Sequence, residues 1–278
     1  MLRPNPTRWL ICAALLCAGL FPPADNAAGM KPRIQNKIIS DITAATGPHP
    51  ILVELFTSEG CSSCPPADQL LLNMDTAQPV PGGQLIVLSE HVDYWDHDGW
   101  KDPNSSRSLT ERQATYVHAL GLKTAYTPQI VVDGTSEMLI NNSEQAIKVF
   151  QNAVVAPKIP VQLSQVNVDR ASPETLRLRV DIDGKDDQKD ADVYVAVALD
   201  RVESQVERGE NKGRHLTHVA VVQQLAKVGN LSKGKSFAQE VQLKLKPGTD
   251  TKNIRIVAFV QELGPSKVLG VAVSKPAA

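Results

Sequence analysis

The rhythm of apolar and polar positions changes about halfway along the chain. Ile51 to Phe56 is almost continuously apolar and rich in β-branched residues, the pattern of a strand buried on both faces. Leu85 to Leu88 repeats it, and Gln129 to Val132 gives a third strand, followed by the hairpin turn signal Asp133-Gly134. Helices are predicted between and after these strands. One runs from Pro65 to about Thr76, because proline suits a first helical turn. A second runs from a Ser108/Glu111 capping box to Leu120, closed by Gly121. A third covers Ser143 to Val155, with Ala146, Ile147, Val149, Phe150 and Val154 at helical spacing.

After Pro157 and Pro160 the pattern becomes strand-only. Val161–Val168, Thr175–Asp183, Val193–Asp200, Leu216–Val228, Ala238–Leu245, Ile254–Glu262 and Val268–Val273 alternate or are β-rich, with Gly and Pro turn signals between them. The stretch Leu216–Ala226 also fits a helical segment. The expected fold class is an α/β domain over 49–157 followed by an all-β sandwich domain over 158–278.

The N-terminus changes the chemistry available to the rest. Arg3 and Arg8 precede the apolar run Trp9–Phe21, and small residues follow at Ala24, Ala27 and Ala28. That is the order of a secretory signal peptide, placed at 1–28, and the run falls short of the roughly 20 residues that span a membrane. A polar tail over 29–48 follows, with one apolar patch at Ile38-Ile39. The expectation is an exported chain, periplasmic or secreted, with no membrane association after cleavage. The 30 acidic and 29 basic residues nearly cancel, which gives no electrostatic footprint for nucleic acid.

Of four cysteines, Cys12 and Cys17 leave with the signal, so the mature chain keeps Cys61 and Cys64. Two cysteines exclude a disulfide scaffold and a four-cysteine zinc site. A structural bridge would close only a tiny loop here, where the entropic gain is small. The two-residue spacing at a strand–turn–helix junction instead suits a redox dithiol. Cys61, at the mouth of the helix, is the expected nucleophile, and Cys64 resolves the mixed disulfide. The function read from this is an exported thiol–disulfide oxidoreductase acting on protein or small-molecule thiols and disulfides, with no cofactor. One alternative is a protein that binds or delivers copper through soft thiolates. The other is a non-catalytic interaction module.

The loop His91–Trp100 holds further possible ligands at His91, Asp93, Asp96, His97 and Asp98. No periodicity makes them converge, and no metal site is assigned. With Trp95 and Trp100 the loop reads better as a wall for the dithiol, since loops after strand ends gather at one edge of an α/β sheet. His91, at the end of its strand, is placed to tune the thiolate. Arg208–Arg214 reads as a solvated hairpin loop, with contact to the dithiol face as the alternative, and His215 and His218 read as ordinary strand residues.

Ile51-Leu52-Val53-Glu54, Cys61-x-x-Cys64 and the later Thr127-Pro128 together resemble the thioredoxin superfamily. The resemblance implies a thioredoxin-like fold for 49–157, a cis-proline at Pro128 beside the dithiol, and substrate binding by the Thr127 backbone. It likens Glu54 to a buried acid beneath the dithiol, with one extra residue separating acid and cysteine. The longer strings Glu54–Asp68, His91–Asp96 and Tyr126–Gly134 are similar to a secreted bacterial family catalogued as domain of unknown function 1223. Arg208–His218 looks like that family's C-terminal part.

Overall fold

In the computed structural model, residues 47–169, 174–264 and 266–276 are described, so the expected signal peptide and most of the tail lie outside the described residues. The apolar run at 51–56 becomes β1 (His49–Thr57), and the chain continues through α1 (Pro65–Ala77), β2 (Gly83–His91), α2 (Arg107–Ala119), β3 (Gln129–Val132), β4 (Ser136–Met138) and α3 (Ser143–Val155). The strand-only half gives β5 (Val161–Asp169), β6 (Thr175–Ile182), β7 (Ala191–Gln205), β8 (His215–Leu231), β9 (Phe237–Lys244), β10 (Ile254–Glu262) and β11 (Val268–Ser274). The stretch compatible with a helix at Leu216–Ala226 is strand throughout.

These elements do not form a thioredoxin-like α/β domain followed by a separate sandwich. The chain is mainly strand, and one mixed eight-stranded sheet draws on both halves in the order β11-β10-β7-β8-β2-β1-β3-β4. β1 runs parallel to β2 and antiparallel to β3. On the outer side of β2 lies β8, parallel and paired through Ser89 and Val221. The physical reason is burial: Leu52, Ile86 and Leu88 share one core with Ala196, Ala198, Val222, Val257 and Phe259 from the second half. Alternation sets which face a side chain takes, but it carries no information on which strand completes an edge. β5, β6 and β9 make a second, three-stranded sheet. It covers β7 and β10 through Leu176, Leu178, Val180, Phe237 and Val241.

The two faces of β1 have different partners. Ile51, Val53 and Leu55 pack with Ala67, Leu71, Phe150 and Ala153, which puts α1 and α3 on one side of the sheet. Phe56 meets Tyr116 edge to face at 5.9 Å, which puts α2 on the other. Leu71 anchors α1, and truncating so buried a leucine costs about 2–5 kcal/mol. Helix α2 starts at Arg107, with Ser106 rather than the expected Ser108 at its N-cap position, and Glu111 pairs with Arg107 on the exposed face. Asn142 caps α3 by accepting a hydrogen bond from the Gln145 N–H at 2.9 Å.

Candidate functional site

Cys61 and Cys64 stand where β1 turns into α1 and are joined, with Sγ–Sγ at 2.17 Å and Cα–Cα at 5.4 Å. Both are fully buried, while Ser62 and Ser63 between them are exposed. A tight turn brings them together: the Gly60 N–H donates to Ser58 Oγ, Cys61 N–H to Ser58 O and Cys64 N–H to Cys61 O. Space at Gly60 is tight, because a Cβ would meet the Trp95 Cβ at 3.1 Å and its carbonyl at 3.2 Å, so any side chain here would push on Trp95. The helix mouth is poorer in donors than its sequence suggests. Pro65 and Pro66 have no N–H, and the Ala67 and Asp68 N–H groups both donate to Cys64 O. The Ser63 hydroxyl lies 3.4 Å from the Cys61 sulfur, within hydrogen-bond reach.

Thr127, Pro128 and Trp95 gather at this turn. The Thr127–Pro128 bond is cis, and Thr127 O lies 3.5 Å from the Ser63 hydroxyl. Trp95 Nε1 donates to Thr127 Oγ1 at 2.7 Å, and Trp95 lies against Gly60, so the aromatic loop packs on the turn that carries the cysteines. The other polar residues of that loop fold it. Asp93 accepts from Thr110 Oγ1 and Asp96 from Ser105 Oγ, while His97 and Asp98 are exposed. Among the described residues no three His, Cys, Asp or Glu side chains are grouped as a metal site.

Glu54 is buried but its bonds lead away from the dithiol. It takes Arg112 at 2.6 Å and the Tyr116 hydroxyl at 2.5 Å, on the α2 face of the sheet. Alternation along β1 explains this: Ile51, Val53 and Leu55 face α1 and α3, so Glu54 faces the other side of the sheet. Arg112 is also 3.5 Å from Glu90 and stacks against Tyr116, Tyr194 and Phe259. Burial, with Glu54 beside it, holds the Glu90 carboxyl well above the usual carboxylate range, and Arg112 offsets only part of that. Glu54 and Arg112 are therefore structural partners here.

The acid–base groups on the dithiol side are others. His91, at the end of β2, is fully buried, and its Nδ1 lies 2.7 Å from Asp102 Oδ2. Asp102 also accepts from the Glu59 N–H at 2.8 Å and the Asn104 N–H at 2.8 Å. Burial disfavours charge on His91, yet Asp102, with Asp68 and Glu59 adding to it, outweighs this and the His91 pKa rises. Burial would likewise raise Asp102, but the imidazole opposite and the two N–H donors bring it down to about 2. His218 of β8 sits edge-on to His91, between Asp68 of α1 and Glu59, which accepts from Trp100 Nε1 at 2.8 Å. Glu59, Asp68, Asp102 and His218 were not singled out as site residues by sequence. His218 opens the stretch His218–Val222 of β8, every residue of which is buried, but nothing local says against what it packs.

The loop between β7 and β8 reaches the dithiol rather than standing solvated. Asn211 is buried, and its Nδ2 donates to Glu59 O at 2.8 Å and Cys61 O at 2.9 Å. Glu210 accepts from the Ser62 N–H at 3.2 Å. Gly209, at φ +74°, lets the loop lie against Trp100, whose Cβ would be 3.2 Å from any side chain there.

The profile of a family described as protein of unknown function (DUF1223) matches residues 52–261. A solved structure of an Agrobacterium tumefaciens protein is 26% identical, with a TM-score of 0.62 over 82% of this chain and 94% of that one. A domain of the outer membrane lipoprotein Omp28 from Porphyromonas gingivalis is 18% identical over 43% of this chain and 88% of that one, with a TM-score of 0.25. No curated protein matches.

Proposed function

The chain belongs to the DUF1223 family of proteins of unknown function, and from its site we propose that it is an exported thiol–disulfide oxidoreductase working through Cys61 and Cys64. The observation that carries this reading is the pair itself: two cysteines bonded across a strand-to-helix turn, with Thr127 O and Trp95 beside it. A substrate thiolate attacks Cys61 Sγ, the Cys61–Cys64 bond breaks, and Cys64 leaves with the electron pair. A second substrate thiolate then attacks the substrate sulfur of the mixed disulfide and frees Cys61. The reverse sequence reduces a substrate disulfide. Ser63 Oγ is placed to hydrogen-bond a Cys61 thiolate, and the dipole of α1 favours the same charge.

Both sulfurs are shielded, so a substrate enters by displacing the exposed Glu210–Ser62 contact. Protein or small-molecule thiols and disulfides are the partners this reading supplies. The export reading rests on the N-terminal pattern of basic, apolar and small residues, and it suits a chain working as a disulfide. The test is trapping. The Cys64→Ser variant, incubated with oxidised glutathione, is expected to hold one mixed disulfide at Cys61 by mass spectrometry. A wild-type chain that exchanges with no thiol but binds Cu(I) stoichiometrically would move the reading to metal carriage. Neither behaviour would leave an interaction module.

A further inference from the structure

Five ionisable side chains, Glu59, Asp68, His91, Asp102 and His218, meet out of solvent on the α1 side of the sheet. Only His91 and Asp102 satisfy one another closely. His218 lies 4.7 Å from the His91 ring, with Nδ1 3.5 Å from Asp68 Oδ1 and Nε2 4.0 Å from Glu59 Oε1. Among the described residues neither of its ring nitrogens has a hydrogen-bond partner, nor has either Asp68 oxygen. A buried cluster of polar groups left this incomplete costs stability and calls for a reason.

The chain ties this group to both sulfurs. Glu59 is two residues before Cys61, and Asn211 clasps the carbonyls of both. Asp68 lies one turn after Cys64, and its N–H donates to Cys64 O at 3.1 Å. Cys64 already has helical dihedrals, φ −78° and ψ −37°. Side chains four apart on a helix share a face, with roughly 5–6 Å between Cβ atoms. Cys64 and Asp68 are therefore neighbours on the buried face, with His218 against Asp68.

We propose that His218, held between Asp68 and Glu59, is the proton-holding group of the dithiol, giving a proton to Cys64 when the disulfide opens and withdrawing it when the disulfide re-forms. The inference rests on the oxidoreductase reading and deepens it. The step balances. Two substrate thiols supply two electrons and two protons and leave as a disulfide; the Cys61–Cys64 electron pair departs on Cys64. Cys64 takes the His218 proton, one substrate proton restores His218, the other goes to solvent, and Cys61 remains a thiolate. His91 does not exchange in this scheme: Asp102 holds its proton in place, with Asp68 and Glu59 adding to the attraction. The groups facing His218 are Asp68 from α1, Glu59 from the turn and His91 from β2, with Asp102 behind. Negative charge on sulfur tightens the proton on His218, and by reciprocity the proton tightens the reduced state by the same factor.

Imidazole NMR of the full chain, titrated from pH 5 to 9 as the disulfide and after reduction by a phosphine, tests this directly. The expected result is a proton held about tenfold tighter on His218 in the reduced form, a rise of about one pH unit in its midpoint. Asp68→Asn should shrink that difference. An identical His218 midpoint in both redox states overturns the proposal. Glutathione exchange measured on the same samples separates the two levels. Exchange with an unshifted His218 removes the proton site and keeps the oxidoreductase. A shifted His218 without exchange keeps the proton coupling and removes the oxidoreductase.

Discussion

Replacing Asn211 by alanine should both loosen the dithiol turn and lower stability. Its Nδ2 donates to two main-chain carbonyls, Glu59 O and Cys61 O, from a fully buried side chain. Cys61 O keeps the Cys64 N–H, so only the Glu59 carbonyl loses its donor, at a cost of about 1–3 kcal/mol if the turn stayed rigid. Among the described residues Asn211 Oδ1 has no partner, and its removal returns part of that cost. The lost bond to Cys61 O adds about 0.5–1.5 kcal/mol and relaxation of the turn returns some, so a net loss of about 1–2 kcal/mol is expected. In a unit of this size that lowers Tm by roughly 2–8 °C. Calorimetry with parallel urea unfolding reads the loss, and Lys212→Ala in the exposed part of the same loop serves as control. The variant's Cys61 should also react faster with a limiting alkylating agent after reduction. A change within about 0.5 kcal/mol, the range of an ordinary surface substitution, would refute the view that this loop clamps the cysteines.

Three further outcomes are expected. The Glu90 pKa is raised in the fold, so the stability it contributes is greatest in acid and is lost as pH rises from the ordinary glutamate value towards the folded one. Glu90→Gln should therefore be neutral or stabilising at pH 8 by chemical denaturation; a loss of more than about 2 kcal/mol would contradict it. His91 and Asp102 act oppositely. The raised His91 contributes below its unfolded pKa and loses this as pH rises through the folded value, while the depressed Asp102 contributes above its unfolded pKa and loses this as pH falls towards about 2. Asp102→Asn should flatten both limbs of the stability–pH curve, and an unchanged curve would break the pairing. Residues 49–157 expressed alone lose β8, baring the edge of β2 and the apolar Ile86 and Leu88. They should give no dispersed NMR spectrum, and a well-folded fragment would refute the continuous sheet.

The local elements were readable because their causes are local. The continuous apolar run at Ile51–Phe56, the Pro65-Pro66 helix start and the Asp133-Gly134 turn each declare themselves within a few residues. β4, three residues long, was too short to show a period. What could not be read was the partner of β2. The Pro157–Pro160 break marks a change of rhythm, but strands beyond it return to the first sheet because apolar faces on both sides need the same cover. The dithiol was legible as a motif with Thr127, Pro128 and Trp95 beside it. Glu54 was legible as buried but not by face, although Ile51, Val53 and Leu55 all point to α1 and alternation sends Glu54 to the other side. Asp68, Asp102, His218 and Asn211 converge from four separate segments, and no spacing along a chain encodes that meeting.

If the reading of the site is right, Cys61 and Cys64 exchange electrons with thiols rather than brace a turn. Equilibrating the full chain in a series of glutathione buffers and counting alkylated cysteines by mass spectrometry tests it most directly. A two-electron transition confined to this pair is expected, with a midpoint above about −300 mV, where exchange with a thiol pool is thermodynamically open. A pair that stays bonded in every buffer, and reacts only after the protein is unfolded, would contradict it.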